Sequence, residues 1–300
     1  MKINSRIVAA FVCSVCMVWV GACSSPKQQE NQGEEFEQAE DQLQEQLEGM
    51  LDNIPAPSEI PYIIQSTGAE FNRGLLNDIG KVDQYQTEDD KSAMNLGVFA
   101  TDIGYLSSYD QSQDAITYFS TTKSLADQIG VSSTIDDEKV QEFENSLGSR
   151  DELGDILDGA IGETQGYLEE SGRERTAALV ATGTFAEGLY IVSSLIEQFP
   201  KGDITADDPN SSFTALAIPL VRLMLDQEKP MSDLNELLKS MGGDATVDQL
   251  VALTSDLVME YENLDITETF EQNQAVKFLE EGVLDDLIAK INALRSYITG

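Results

Sequence analysis

Two sets of polar residues carry the chemistry open to this chain. Asn95, Asp102, Tyr105 and Tyr109 are spaced by seven, three and four, which places them on one face of a helix. Thr176, Gly183, Glu187 and Tyr190 have similar spacings on a second segment. There the run from Ala177 to Phe199 (AALVATGTFAEGLYIVSSLIEQF) is apolar on nearly every face, the mark of a rod buried on all sides. A carboxylate on such a rod must be neutral or partnered, because an unpaired buried charge is strongly unfavourable. If the two strips face each other, Asn95, Asp102, Tyr105, Glu187 and Tyr190 line one polar pocket able to take a small molecule or a divalent cation. The plainer reading is a hydrogen-bonded network that fixes helix register, and buried polar groups in general favour it. Arg73, Arg173, Arg175 and Arg222 are the candidate counter-ions.

A third set is the loop DITADDPNS, where Asp203, Asp207 and Asp208 offer the oxygen ligands that calcium takes. It lacks the glycine and the closing glutamate of an EF-hand loop, and acidic loops are usually simply solvated. Ser120-Thr121-Thr122-Lys123 matches S-x-x-K without a K-T-G or S-D-N companion. Gly154, Gly159, Gly162 and Gly166 form no phosphate-binding pattern. Histidine is absent. That removes Ser-His-Asp and Cys-His catalysis, His-based zinc sites and the commonest general base. An enzyme built on this chain would need a carboxylate pair, and no local pair demands one. The expectation is a protein that is not an enzyme and carries no cofactor.

The cysteines point to a membrane surface. Lys2 and Arg6 precede an apolar run from Ile7 to Val20, then Gly21-Ala22-Cys23-Ser24. A charged start, an apolar middle and small residues at a cut point read as a secretory leader. The run is shorter than the ~20 apolar residues of a permanent span. The residues before Cys23 resemble a bacterial lipobox, in which that cysteine is lipidated and becomes the new N-terminus. Cys13 and Cys16 would leave with the leader, so their C-x-x-C spacing carries no redox or metal meaning. The diacylglycerol and N-acyl chains of a bacterial lipoprotein would meet the need for more than one acyl chain in stable anchoring. Ser24 after the cysteine resembles the outer-membrane sorting preference of enterobacteria.

Charge narrows the partners. The chain has 54 acidic and 18 basic residues, a net charge of −36. Loss of Lys2 and Arg6 makes the mature chain more negative still. Nucleic acid needs a basic footprint, and this charge argues against it. It argues equally against a peripheral grip on anionic lipid, so the lipid on Cys23 must do the anchoring. Such charge keeps a protein soluble while straining its compact state.

The elements that position these residues read as helix after helix. Residues 1–22 are leader and 23–33 a flexible Ser/Gln/Asn-rich tether. Residues 34–300 are expected to form a single all-α domain, a bundle of about ten helices. Phe36, Leu43 and Met50, with Leu47 and Ile54, give a first acidic helix one apolar stripe. The pattern predicts further helices over 58–78, 89–108, 110–129, 136–147, 150–171, 173–199, 211–227, 231–241, 246–264 and 273–298. Gly130 reads as a helix stop. Ser149 with Glu152 reads as an N-cap, and Thr246 as the start of its helix. Pro219 should kink its helix or mark the first turn.

Several of these pieces are similar to an uncharacterised family of exported helical proteins from Bacteroidota. They are Pro57-Ser58 with Asn72 and Leu75-Leu76-Asn77, and Ala93-Met94-Asn95-Leu96-Gly97-Val98-Phe99 with Asp102 and Tyr105. Lys123-Ser124-Leu125-Ala126 with Ile129-Gly130-Val131, and Gly183 with Glu187-Gly188-Leu189-Tyr190, complete the set. The resemblance covers Pro57 to Tyr190 and not the last hundred residues. It implies an all-α fold and a Gram-negative envelope location, and brings no catalytic residues. Together these readings predict an outer-membrane lipoprotein that binds or scaffolds an envelope partner. The alternative is a small-molecule or cation-binding protein that uses the polar pocket.

Overall fold

The computed structural model describes residues 49–300 apart from 52, 147, 200–211, 265, 272–274 and 281. The leader, Cys23, the tether and most of the first expected helix therefore lie outside the described residues, as does the 203–211 loop. Every regular element among the described residues is helical, and the chain is an all-α multi-helix bundle. The principal helices are α1 (Glu59–Ser66), α2 (Asp89–Ser108), α3 (Ser112–Gln128), α4 (Asp137–Asn145) and α5 (Arg150–Glu170). They continue as α6 (Glu174–Glu197), α7 (Ser212–Leu225), α8 (Glu228–Met241), α9 (Ala245–Asn263) and α10 (Asp285–Thr299).

Local chemistry sets many of these bounds. Asp136 accepts from the Glu138 and Lys139 amides and opens α4. Ser149 accepts from the Glu152 amide and opens α5, as the sequence predicts. Asp244, not Thr246, caps α9 by accepting from Val247 N at 3.0 Å. Gly130, at φ +73°, ends α3. The Val131 amide there reaches back to Ala126 O and the Gly130 amide to Asp127 O, a Schellman closure.

Two expected helices are shorter than their patterns suggest. The helix expected over 58–78 ends at Ser66. From there the chain turns through Gly68, at φ +87°, into a stretch with two short 3-10 turns. Asn72 and Asp78 hold those turns by accepting from the amides of Gly74 and Gly80. Short polar side chains compete in this way with the helix ladder. The helix expected over 273–298 starts only at Asp285. Pro219 lies in the middle of α7 rather than in its first turn.

The centre of the bundle is the α2–α6 contact, the most extensive helix pair in the structure. α6 is long and apolar enough to cross a bilayer, but 89% of its most apolar window is buried inside the protein, so it serves as the core rod. A Cβ on Gly97 would lie 2.0 Å from Val180 O, and one on Gly183 would lie 1.8 Å from Met94 O. The two backbones therefore touch where both helices lack a side chain. Thr101 Oγ1 donates to Thr184 O at 3.0 Å across the same crossing. α10 lies against α6, α9 and α2, and brings a charged side chain to the polar strips.

Candidate functional site

The close crossing makes the two strips face each other, and it brings Asp102 and Glu187 together. Both residues have 0% exposure. The two carboxyls lie close enough for the charge of Glu187 to act on Asp102. The cation that meets them comes from α10. Arg295 Nε donates to Glu187 Oε2 at 2.9 Å and Nη2 donates to Oε1 at 3.1 Å. This two-bond fork fits a carboxylate as an ammonium cannot. The guanidinium also lies 4.1 Å from the centroid of the Tyr190 ring, which adds a cation–π contact. The Arg295 side chain keeps 17% of its surface exposed.

Asp102 has a different environment. Its Oδ2 accepts from the Asn77 amide at 3.0 Å, whereas its buried Oδ1 has no donor. Burial, and then the negative charge of Glu187, push the Asp102 carboxyl well above the ordinary carboxylate range. Burial also raises Glu187, but Arg295 opposes that. The guanidinium therefore favours the charged form of Glu187, while no cation bonds Asp102.

Around the pair runs a layer of satisfied polar groups, with Asn77 at its hub. Tyr118 OH donates to Asn77 O at 2.9 Å, and Asn77 Nδ2 reaches Asn95 Oδ1 at 3.4 Å. Asn95 Nδ2 donates to Ile298 O at 2.9 Å and Lys91 O at 3.0 Å. The Tyr85 hydroxyl shares its proton between Asn77 Oδ1 at 3.2 Å and Thr299 O at 3.1 Å. The layer thus ties the 67–81 stretch and α2 to the end of α10.

Tyr105 is not part of this cluster. It sits a turn further along α2, where its hydroxyl accepts from Asn72 N at 3.0 Å and its ring packs on Phe71 and Tyr109. It holds down the stretch after α1. None of the four arginines named as partners meets these carboxyls, and three are engaged elsewhere. Arg73 pairs with Asp114, and Arg175 grips Asp90 through two bonds of 2.6 Å and Asp244 through one of 2.8 Å. Arg222 covers the Phe270 ring, and Arg173 lies beside Gly130. The signal for Arg295 was present: it sits between Ile291, Leu294 and Ile298, all buried, as the one charge on an apolar face.

Asp203, Asp207, Asp208 and Cys23 lie outside the described residues. Among the described residues no group of three or more acids, cysteines or histidines is placed to hold a metal ion. What the carboxyl–arginine cluster can do chemically is limited by its seal. It can bind a proton and lock three elements together, but in this conformation neither carboxyl meets solvent. No protein-family model, no curated protein and no solved structure compared with the chain matches it.

Proposed function

We propose that the protein is a lipoprotein of the outer membrane, of the kind exported by Bacteroidota, with an acidic helical body held on a tether by lipid at Cys23. It binds or scaffolds an envelope partner and catalyses no reaction. The observation that carries this reading is the Val20-Gly21-Ala22-Cys23 junction at the end of a short apolar run behind Lys2 and Arg6. The arrangement of the core supports the second half. The carboxylates best suited to chemistry face each other and Arg295, away from solvent. The rival reading, a small-molecule or cation pocket around Asn95, Asp102, Tyr105, Glu187 and Tyr190, needs an opening that two residues at 0% exposure do not offer.

The test is expression of the full chain, wild type and Cys23→Ala, in a Gram-negative host fed a clickable fatty acid. The wild type is expected in the outer-membrane fraction carrying the label, and the variant unlabelled with its leader retained. Equal labelling and fractionation of the two would overturn the anchor.

A further inference from the structure

The carboxyl pair has one feature that a purely structural ion pair would lack. Glu187 is complete: each of its oxygens receives a bond from Arg295. Asp102 is not. Its Oδ2 takes the Asn77 amide, and its Oδ1, fully buried, faces no N–H or O–H donor of the protein. The acidic neighbour in contact with it is Glu187. Two ionised carboxylates so placed, both buried, would repel each other with a single cation to offset them. A proton on Oδ1 resolves both defects. It turns the orphan acceptor into a donor to Glu187 and leaves one negative charge against one positive charge.

We propose that Asp102 and Glu187 form a proton-binding site in the folded protein, and that the bound proton fastens α10 to the α2–α6 core. The fastening passes through Arg295, whose fork on Glu187 is the charged link from α10, and through the last carbonyls of that helix. Ile298 O and Thr299 O are held by Asn95 Nδ2, Tyr85 OH and Lys81 Nζ. The groups around the pair come from several elements: Asn77 from the stretch after α1, Tyr85 from the turn before α2, and Tyr118 from α3, with Asp78 beyond the two tyrosines. Tyr190 comes from α6 itself and Arg295 from α10. Arg295 is the cation among them in direct contact. Loss of the proton therefore sets two buried anions against one guanidinium and loosens the α10 seam first. This proposal stands independently of the lipid anchor.

Infrared spectroscopy of the intact chain tests it, through the C=O stretch of a protonated carboxyl and its shift in D2O. The expected result at neutral pH is a protonated-carboxyl band in the wild type that persists in Asp158→Asn. Asp158 is a carboxyl outside the pair that burial also raises, and two bonds from Ser58 hold it. The band should vanish in Asp102→Asn, whose amide can still donate to Glu187. It should also fade in wild type as alkali is added, together with a loss of hydrogen-exchange protection that begins in Asp285–Thr299. Absence of the band from wild type at neutral pH would overturn the proposal. So would its survival in Asp102→Asn, or its loss with α10 protection unchanged. The wild-type spectrum decides the matter even if the variant does not fold.

Discussion

Gly183 on α6 lies directly against the carbonyl of Met94 on α2, with no room between them for even a methyl group. Gly97 makes the reciprocal contact one turn along, against Val180 and Thr184. This crossing brings Asp102 within reach of Glu187, and the rest of the site follows from it.

Substitution at the crossing should therefore be severe. Alanine favours an exposed helix by about 0.5–1 kcal/mol over glycine, but overpacking a core costs ~1–3 kcal/mol or more. Here the obstacle is rigid backbone. Gly183→Ala and Gly97→Ala are expected to lower the unfolding free energy by at least that amount. Gly159→Ala on α5, where a Cβ meets nothing within 4 Å, should raise it slightly. Denaturation of the three variants side by side checks the claim.

Removing one partner of the buried ion pair should be worse than removing both. Arg295→Met or Glu187→Gln alone is expected to cost ~3–5 kcal/mol by leaving the other group uncompensated. The double variant should cost much less than the sum. Arg295→Lys should not rescue, because an ammonium cannot make the two-bond fork. A double-mutant cycle in guanidinium measures this, and additive losses would show that the two side chains do not act as a pair.

Acid should weaken a different joint. Arg175 holds Asp90 at the start of α2, and its bonds push the Asp90 carboxyl below its ordinary value. A carboxylate lowered on folding stabilises the protein above its unfolded pKa, and that stability is lost as pH falls through the folded one. Stability should therefore decline on the acid side of the ordinary carboxylate range. Asp102, raised by burial, has the opposite sign. Its contribution is full below the unfolded carboxylate pKa and falls as pH rises towards the folded value, with a slope of about 1.4 kcal/mol per pH unit. Arg175→Met should flatten the acid limb and Asp102→Asn the limb above it. Urea midpoints taken across pH read both.

Much of this arrangement was legible in the residues. Ser149 with Glu152, and Gly130, mark their helix ends because those signals are local: one side chain or one dihedral decides them. The meeting of Asp102 and Glu187 could be read from two polar strips on otherwise apolar segments. Arg295 was overlooked in favour of arginines nearer in sequence. Its role depends on α10 closing on a core more than a hundred residues earlier, which spacing alone does not encode. The helix expected over 58–78 stops at Ser66 although Leu75, Leu76, Ile79 and Val82 beyond it are apolar. Those residues do pack on the core, yet Asn72 and Asp78 divert the backbone into turns. Tyr105 shares a helix face with Asp102, but an aromatic one turn away reaches a different neighbour.

The central claim, a lipid-anchored protein that works without a cofactor, is tested most directly by native mass spectrometry of the mature protein. It should be purified from its own membranes in the absence of chelator. The account predicts the mass of the chain from Cys23 onward plus three acyl groups and nothing else. An unprocessed or unacylated N-terminus, or a stoichiometric metal ion or small molecule riding with the chain, would contradict it.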